Sequence, residues 1–112
     1  MSPLLPIQKQ DGSYRFVNDY RRLNAYFSRE GMLQVDVNRT FWELDPNWVY
    51  YMKIDLKDGF FSLPISEDLS RFFGFSWGVK RYKWTRVPQG WLWSSILFHE
   101  RIAEIFRSLG VV

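Results

Sequence analysis

The chain has no cysteine and a single histidine, His99. Disulfide staples, thiolate metal sites and zinc sites built on several histidines are therefore excluded. A bound metal would be a hard cation held by carboxylate and phosphate oxygens, Mg²⁺ or Mn²⁺. Long apolar runs are missing too. No stretch approaches the roughly 18 residues of a membrane span. The Met1-Ser2-Pro3 start lacks the charged and apolar regions of a signal peptide. An intracellular, reducing setting with no membrane partner is the expectation. Nor is charge of one sign in large excess: 15 Lys and Arg against 12 Asp and Glu leave +3. That is too little for charge alone to argue nucleic-acid binding.

Aromatic residues are what the chain has in abundance, 20% of 112 positions, as Phe 10, Trp 6 and Tyr 6. They build thick cores, and they also build stacking surfaces for bases. At this length, 46% hydrophobic residues suffice for one domain or part of one. The basic residues are grouped. Lys9, Arg15, Arg21, Arg22 and Arg29 lie early, and Lys80, Arg81, Lys83 and Arg86 alternate with Tyr82 and Trp84. Two solvated strand faces account for both groups.

The pattern predicts hairpins first, a strand in the middle and one substantial helix last. Residues 4–9 read as extended, with Pro6 marking an edge. Asp11-Gly12 is a hairpin signal and 14–17 the return strand. Residues 19–24 read as a turn or one helical turn. Residues 25–48 carry little periodicity, except that Asp36 is set to cap a short helix over 37–44, closed by Asp45-Pro46. Residues 49–56, rich in Tyr and apolar residues, read as a strand, and 57–61 as a tight turn. Pro64 interrupts the next extended piece. Residues 72–77 and 80–86 form a second hairpin about Gly78. Ser94 is set to cap a helix to about residue 109, with Ile102, Ile105, Phe106 and Leu109 at helical spacing and Gly110 past its end. This order defines an α+β chain.

The candidates for chemistry cluster around two motifs. In Lys-Ile-Asp-Leu-Lys-Asp-Gly-Phe-Phe (53–61), the apolar run delivers Asp55 to its end, where a carboxylate needs water or a cation. Asp58 beside Gly59 is placed to cap the turn. Phe60 and Phe61 suit a core, and the alternative for Phe60 is a flat wall beside a sugar. In Val-Pro-Gln-Gly (87–90), Gln89 offers an amide and Gly90 permits close approach of another backbone. Lys9 and Arg15 flank the Asp11-Gly12 turn, either gripping a polyphosphate or solvated at strand ends. A two-residue loop points them to opposite faces. A three-residue loop with a left-handed Gly12 brings both to one face.

In chain order, Leu-Pro-Ile-Gln-Lys-Gln-Asp-Gly-Ser-Tyr-Arg-Phe-Val-Asn-Asp-Tyr-Arg-Arg-Leu-Asn (5–24), Ile-Asp-Leu-Lys-Asp-Gly-Phe-Phe (54–61), Phe-Phe-Gly-Phe-Ser-Trp (72–77), Tyr-Lys-Trp-Thr-Arg-Val-Pro-Gln-Gly-Trp (82–91) and Leu-Phe-His-Glu-Arg-Ile (97–102) resemble a reverse transcriptase of the retrovirus and long-terminal-repeat retroelement type. The resemblance implies a partial fingers–palm of a right-hand polymerase, with 1–48 fingers-like and 49–112 palm-like. It implies that Asp55 is a catalytic carboxylate and metal ligand, joined by the Leu56 carbonyl. Lys9 and Arg15 would grip the triphosphate. Phe60 would be the aromatic gate favouring deoxyribose, with Gly59 beneath the sugar. Gln89 would line the nucleotide pocket. Gly90, Trp91 and Arg21 would approach the template, Arg21 alternatively pairing with Asp19. The implied partners are an RNA/DNA primer-template and a deoxynucleotide triphosphate, with Mg²⁺ or Mn²⁺ as cofactor.

The chain departs from the family pattern after Gln89-Gly90. It reads Trp91-Leu92-Trp93-Ser94-Ser95 where a Ser-Pro pair is usual. The family's Tyr-X-Asp-Asp hairpin is expected after the last helix, and the chain stops at Gly110-Val111-Val112 before it. With one of three catalytic carboxylates, the chain is expected not to polymerise alone. The competing expectation is a domesticated, non-catalytic module that binds nucleic acid or protein, self-associating through exposed strand edges.

Overall fold

The computed structural model describes residues 1–31 and 36–110. Residues 32–35 of the middle segment, and Val111 and Val112 at the expected chain end, lie outside the described residues. The described residues hold two antiparallel hairpins. β1 (Leu4–Gln8) pairs with β2 (Tyr14–Asn18), and β3 (Gly74–Trp77) pairs with β4 (Lys80–Lys83). Between them lie three short helices, α1 (Arg21–Asn24), α2 (Val37–Trp42) and α3 (Glu67–Ser70). A 3₁₀ turn spans Phe60–Ser62. The long helix α4 (Ser94–Ser108) comes last.

Local chemistry explains most boundaries. The Asp36 carboxylate accepts from the Asn38 and Arg39 N–H groups and starts α2, as expected, although the helix ends at Trp42. Ser66 caps α3 through the Leu69 N–H, a helix too short for its periodicity to be read. Ser94 does not cap α4. It is the first helical residue, and its buried hydroxyl donates to the Pro88 carbonyl at 2.5 Å.

The core is small. Tyr20, Phe73 and Trp91 form its centre, with Leu23, Phe27, Ile65, Leu69, Trp84 and Leu97 packed around them. The rings meet edge to face, Tyr20–Phe73 at 5.5 Å and Phe73–Trp91 at 5.0 Å between centroids. Asn18 fastens the hairpins together at this centre. Its amide donates to the Ser2 and Pro3 carbonyls, and its Oδ1 accepts from the Trp84 indole at 2.7 Å.

The expected strand over 49–56 does not form. Among the described residues no segment pairs with it, and a strand cannot satisfy its N–H and C=O groups alone. Its side chains stand in solvent, Tyr50 at 92% and Met52 at 83% exposure. The radius of gyration is 17.1 Å, against about 13 Å for a compact chain of this length. Among the described residues, no helix is long and apolar enough to cross a membrane.

Candidate active site

The β1–β2 loop decides how Lys9 and Arg15 are presented. Gln8 pairs with Tyr14, and the Lys9 N–H donates to the Ser13 carbonyl at 2.7 Å. The loop is therefore Gln10-Asp11-Gly12. The Gly12 N–H closes it on the Lys9 carbonyl at 3.1 Å, and Gly12 has φ +85°. This is the three-residue, left-handed form. Asp11 braces it by accepting from the Ser13 hydroxyl at 2.6 Å and its N–H at 2.9 Å, and these bonds lower the Asp11 pKa. Arg15 pairs with Ile7 and Lys9 lies two residues beyond Ile7, so both cations share one face with Val17.

A second set of residues surrounds an open cleft of about 720 Å³. Asp55, Leu56, Gly59, Phe60 and Gln89 line it, and Phe98, Ile102 and Phe106 of α4 form an apolar wall. Asp55 is exposed; it stands on irregular backbone rather than at the end of a buried strand. Asp58 carries the turn in a left-handed conformation, φ +51°, and its carbonyl accepts from the Ser62 N–H at 3.0 Å. Gly59 lies close against α4: a Cβ there would sit 2.8 Å from the Phe98 ring, which would have to shift. Phe60 is half-buried and meets Phe98 edge to face at 5.6 Å. The ring is thus both packed and part of the wall. Phe61 faces away and stacks on Trp84 at 5.1 Å.

The turn at 88–90 joins the two sets. Pro88 is buried, Gln89 half-buried, and Gly90 has φ +95°. A Cβ on Gly90 would sit 2.6 Å from the Asn18 carbonyl oxygen and 3.5 Å from Val17. The close backbone approach expected of this glycine is therefore made against the first hairpin, on the Lys9–Arg15 face.

Not every expected residue gathers here. Lys9 and Arg15 stay on the hairpin and do not line the cleft. Trp91, expected at the template, is 7% exposed and packed between Phe73 and Phe27, so its surface is committed to the core. Arg21 is 89% exposed, and its guanidinium donates to both Asp19 oxygens, at 2.9 and 2.6 Å. Of the two roles weighed for Arg21, the ion pair is present. Asn24 was missed, and it bonds both sides of Trp91.

The Asp19 carboxyl is held down at about 2, first by the Arg21 side chain and then by its N–H. A depressed carboxylate contributes above its ordinary value of 3.8 and loses that contribution as pH falls through about 2. The pair should therefore be intact at neutral pH and open only in strong acid. In Arg21→Ala, a carbon-detected NMR titration of Asp19 is expected to return its midpoint toward 3.8. An unchanged midpoint would remove Arg21 as the cause.

Comparison with known proteins identifies the family and the fold. The family model described as reverse transcriptase (RNA-dependent DNA polymerase) matches residues 7–111. The Gag-Pol polyprotein of baboon endogenous virus is 35% identical over 90% of this chain, which covers 6% of that protein. The Pro-Pol polyprotein of simian foamy virus type 1 is 29% identical over 96% of this chain and 9% of its own length. Among solved structures, the foamy viral protease–reverse transcriptase in complex with double-stranded DNA superposes with a TM-score of 0.80 at 32% identity, over 95% of this chain and 19% of that one. The same protein with an RNA/DNA hybrid gives 0.77 at 29% identity, over 96% and 14%. The fold is the fingers–palm region of a right-hand polymerase. The chain belongs to the reverse transcriptase family, and it spans about a tenth or less of the polyproteins it matches.

Proposed function

We propose that this chain is the part of an RNA-directed DNA polymerase that receives the deoxynucleotide triphosphate against an RNA/DNA primer-template. The observation that carries the reading is one cleft of about 720 Å³ lined by Asp55, Leu56, Gly59, Phe60 and Gln89. Lys9 and Arg15 share the hairpin face that Gly90 abuts. Two cations on one face offset polyphosphate charge. Phe60, fixed by its contact with Phe98, is a rigid wall against which a ribose hydroxyl would clash. The Gln89 amide orients the nucleotide.

The Asp55 carboxylate and the Leu56 carbonyl are hard oxygen donors suited to Mg²⁺ or Mn²⁺. Among the described residues no three acidic or histidine side chains come together, so Asp55 would hold the ion jointly with substrate phosphates. A bound divalent ion would supply charge stabilisation at the reacting phosphate. With Asp55 the one acidic side chain among the described residues lining the cleft, this chain alone is expected not to extend a primer. An intracellular or virion setting belongs to the same reading.

A second reading is a non-catalytic partner module that binds a second copy or another protein. The exposed apolar residues Trp48, Tyr50, Tyr51, Met52 and Ile54 favour it. A titration of labelled RNA–DNA primer-template separates the two, run with and without matched deoxynucleotide and Mg²⁺ at two salt concentrations. The polymerase reading expects salt-sensitive binding that the matched nucleotide tightens. Asp55→Asn should then weaken the nucleotide effect at least about tenfold, the scale of one lost charged contact of about 1.5–3 kcal/mol. Binding indifferent to nucleotide would favour the second reading, and robust primer extension would overturn the expected inactivity.

A further inference from the structure

Asn24 makes two side-chain contacts outside its own helix, on either side of the core residue Trp91. Its Nδ2 donates to the Gly90 carbonyl at 3.1 Å, and its Oδ1 accepts from the Leu92 N–H at 2.9 Å. One planar amide therefore brackets a single residue, Trp91, more than 60 positions away in the chain. Both its donor and its acceptor are used. Aspartate of the same shape would keep the acceptor and lose the donor; alanine would lose both.

Asn24 itself is fixed. It ends α1, its N–H donates to the Tyr20 carbonyl at 2.6 Å, and Tyr20 is buried in the core. From the other side, the Asn18 carbonyl fills the space a Gly90 Cβ would need. The Gly90 backbone is therefore gripped between Asn18 and Asn24, in the segment that continues directly from Arg15. Gln89 is the residue immediately before the gripped glycine. Glycine resists displacement less than any other residue, so the orientation of Gln89 depends on what holds its neighbour.

We propose that Asn24 is a positioning residue that sets Gln89 toward the cleft and locks it to the hairpin bearing Lys9 and Arg15. This deepens, and rests on, the proposed nucleotide-binding role of the cleft. Asn24 need not touch the nucleotide. It acts through backbone atoms on either side of Trp91.

Two readouts on the full chain test this in Asn24→Ala and Asn24→Asp. Hydrogen exchange at the Leu92 amide reports the grip. The tightening of primer-template binding by matched deoxynucleotide and Mg²⁺ reports its consequence. In Asn24→Ala, Leu92 exchange should rise about tenfold and the nucleotide effect fall about tenfold, the scale of one or two hydrogen bonds. Nucleotide-free binding should stay within about twofold, because Asn24 is uncharged and would neutralise no phosphate. In Asn24→Asp, Leu92 protection should persist while the nucleotide effect is weakened, and this variant carries the test if the alanine variant does not fold. Faster Leu92 exchange with a full nucleotide effect would overturn the positioning role and leave the cleft reading standing. A wild-type chain with no nucleotide effect would overturn both.

Discussion

Gly90→Ala is expected to lower stability by about 3 kcal/mol, a loss of more than 10 °C in melting temperature for a chain this size. Two costs add. Gly90 has φ +95°, where an L side chain is strained by roughly 1–2 kcal/mol. The new methyl would also lie 2.6 Å from the Asn18 carbonyl oxygen, a backbone atom that cannot swing aside. Asn18 is buried and bonded to Ser2, Pro3 and Trp84, so moving it disturbs both hairpins. Gly12→Ala is the control. Gly12 has a similar φ of +85°, yet nothing lies within 4 Å of its added Cβ. It should cost only about 1 kcal/mol. Thermal melts of the two variants give the contact cost by difference. Equal losses would mean that conformation alone fixes both glycines and that the close approach of 88–90 to the hairpin contributes nothing.

The readable parts of this fold are those whose causes are local. Asp11-Gly12 announces its turn because the carboxylate and the left-handed glycine act within the loop itself. The α4 periodicity is legible because Ile102, Ile105 and Phe106 recur at helical spacing, and all three line one cleft. Asp36 caps α2 through bonds to the next turn. By contrast, residues 49–56 have strand composition without a strand. Composition reports a preference for pleated, half-buried surroundings, whereas the ladder depends on a neighbour elsewhere in the chain.

The candidate site divides in the same way. Asp55, Leu56, Gly59, Phe60 and Gln89 are visible as motif residues and gather around one cleft. Trp91 carries the same motif signal yet serves the core, because a large ring beside a turn suits either environment. Asn18 and Asn24 have no local signal. Each is a single asparagine near a short helix, and the atoms that explain it are about 66 residues away. Only the approach of the 84–92 segment to the first hairpin reveals them.

Phe73→Ala should be the most damaging single change in the chain. The ring is 0% exposed and contacts both Tyr20 and Trp91, the other members of the core centre. Removing a buried phenylalanine costs about 3–5 kcal/mol through lost burial and the cavity left behind. A domain with so few buried side chains is expected near the lower end of the usual 5–15 kcal/mol. The substitution should therefore abolish a cooperative melt. Phe73→Leu, which refills much of the volume, should cost under half as much. Tyr26→Ala, at a ring 88% exposed, should stay within about 0.5 kcal/mol. Because Trp91 directly follows Gly90, collapse of the core should also release the Gln89-Gly90 turn. The nucleotide-dependent binding proposed above should then disappear together with the melt. A Phe73→Ala chain that still melts cooperatively within a few degrees of wild type would show that Tyr20 and Trp91 close over the gap. The fold would then rest on the hairpin hydrogen bonds rather than on this aromatic centre.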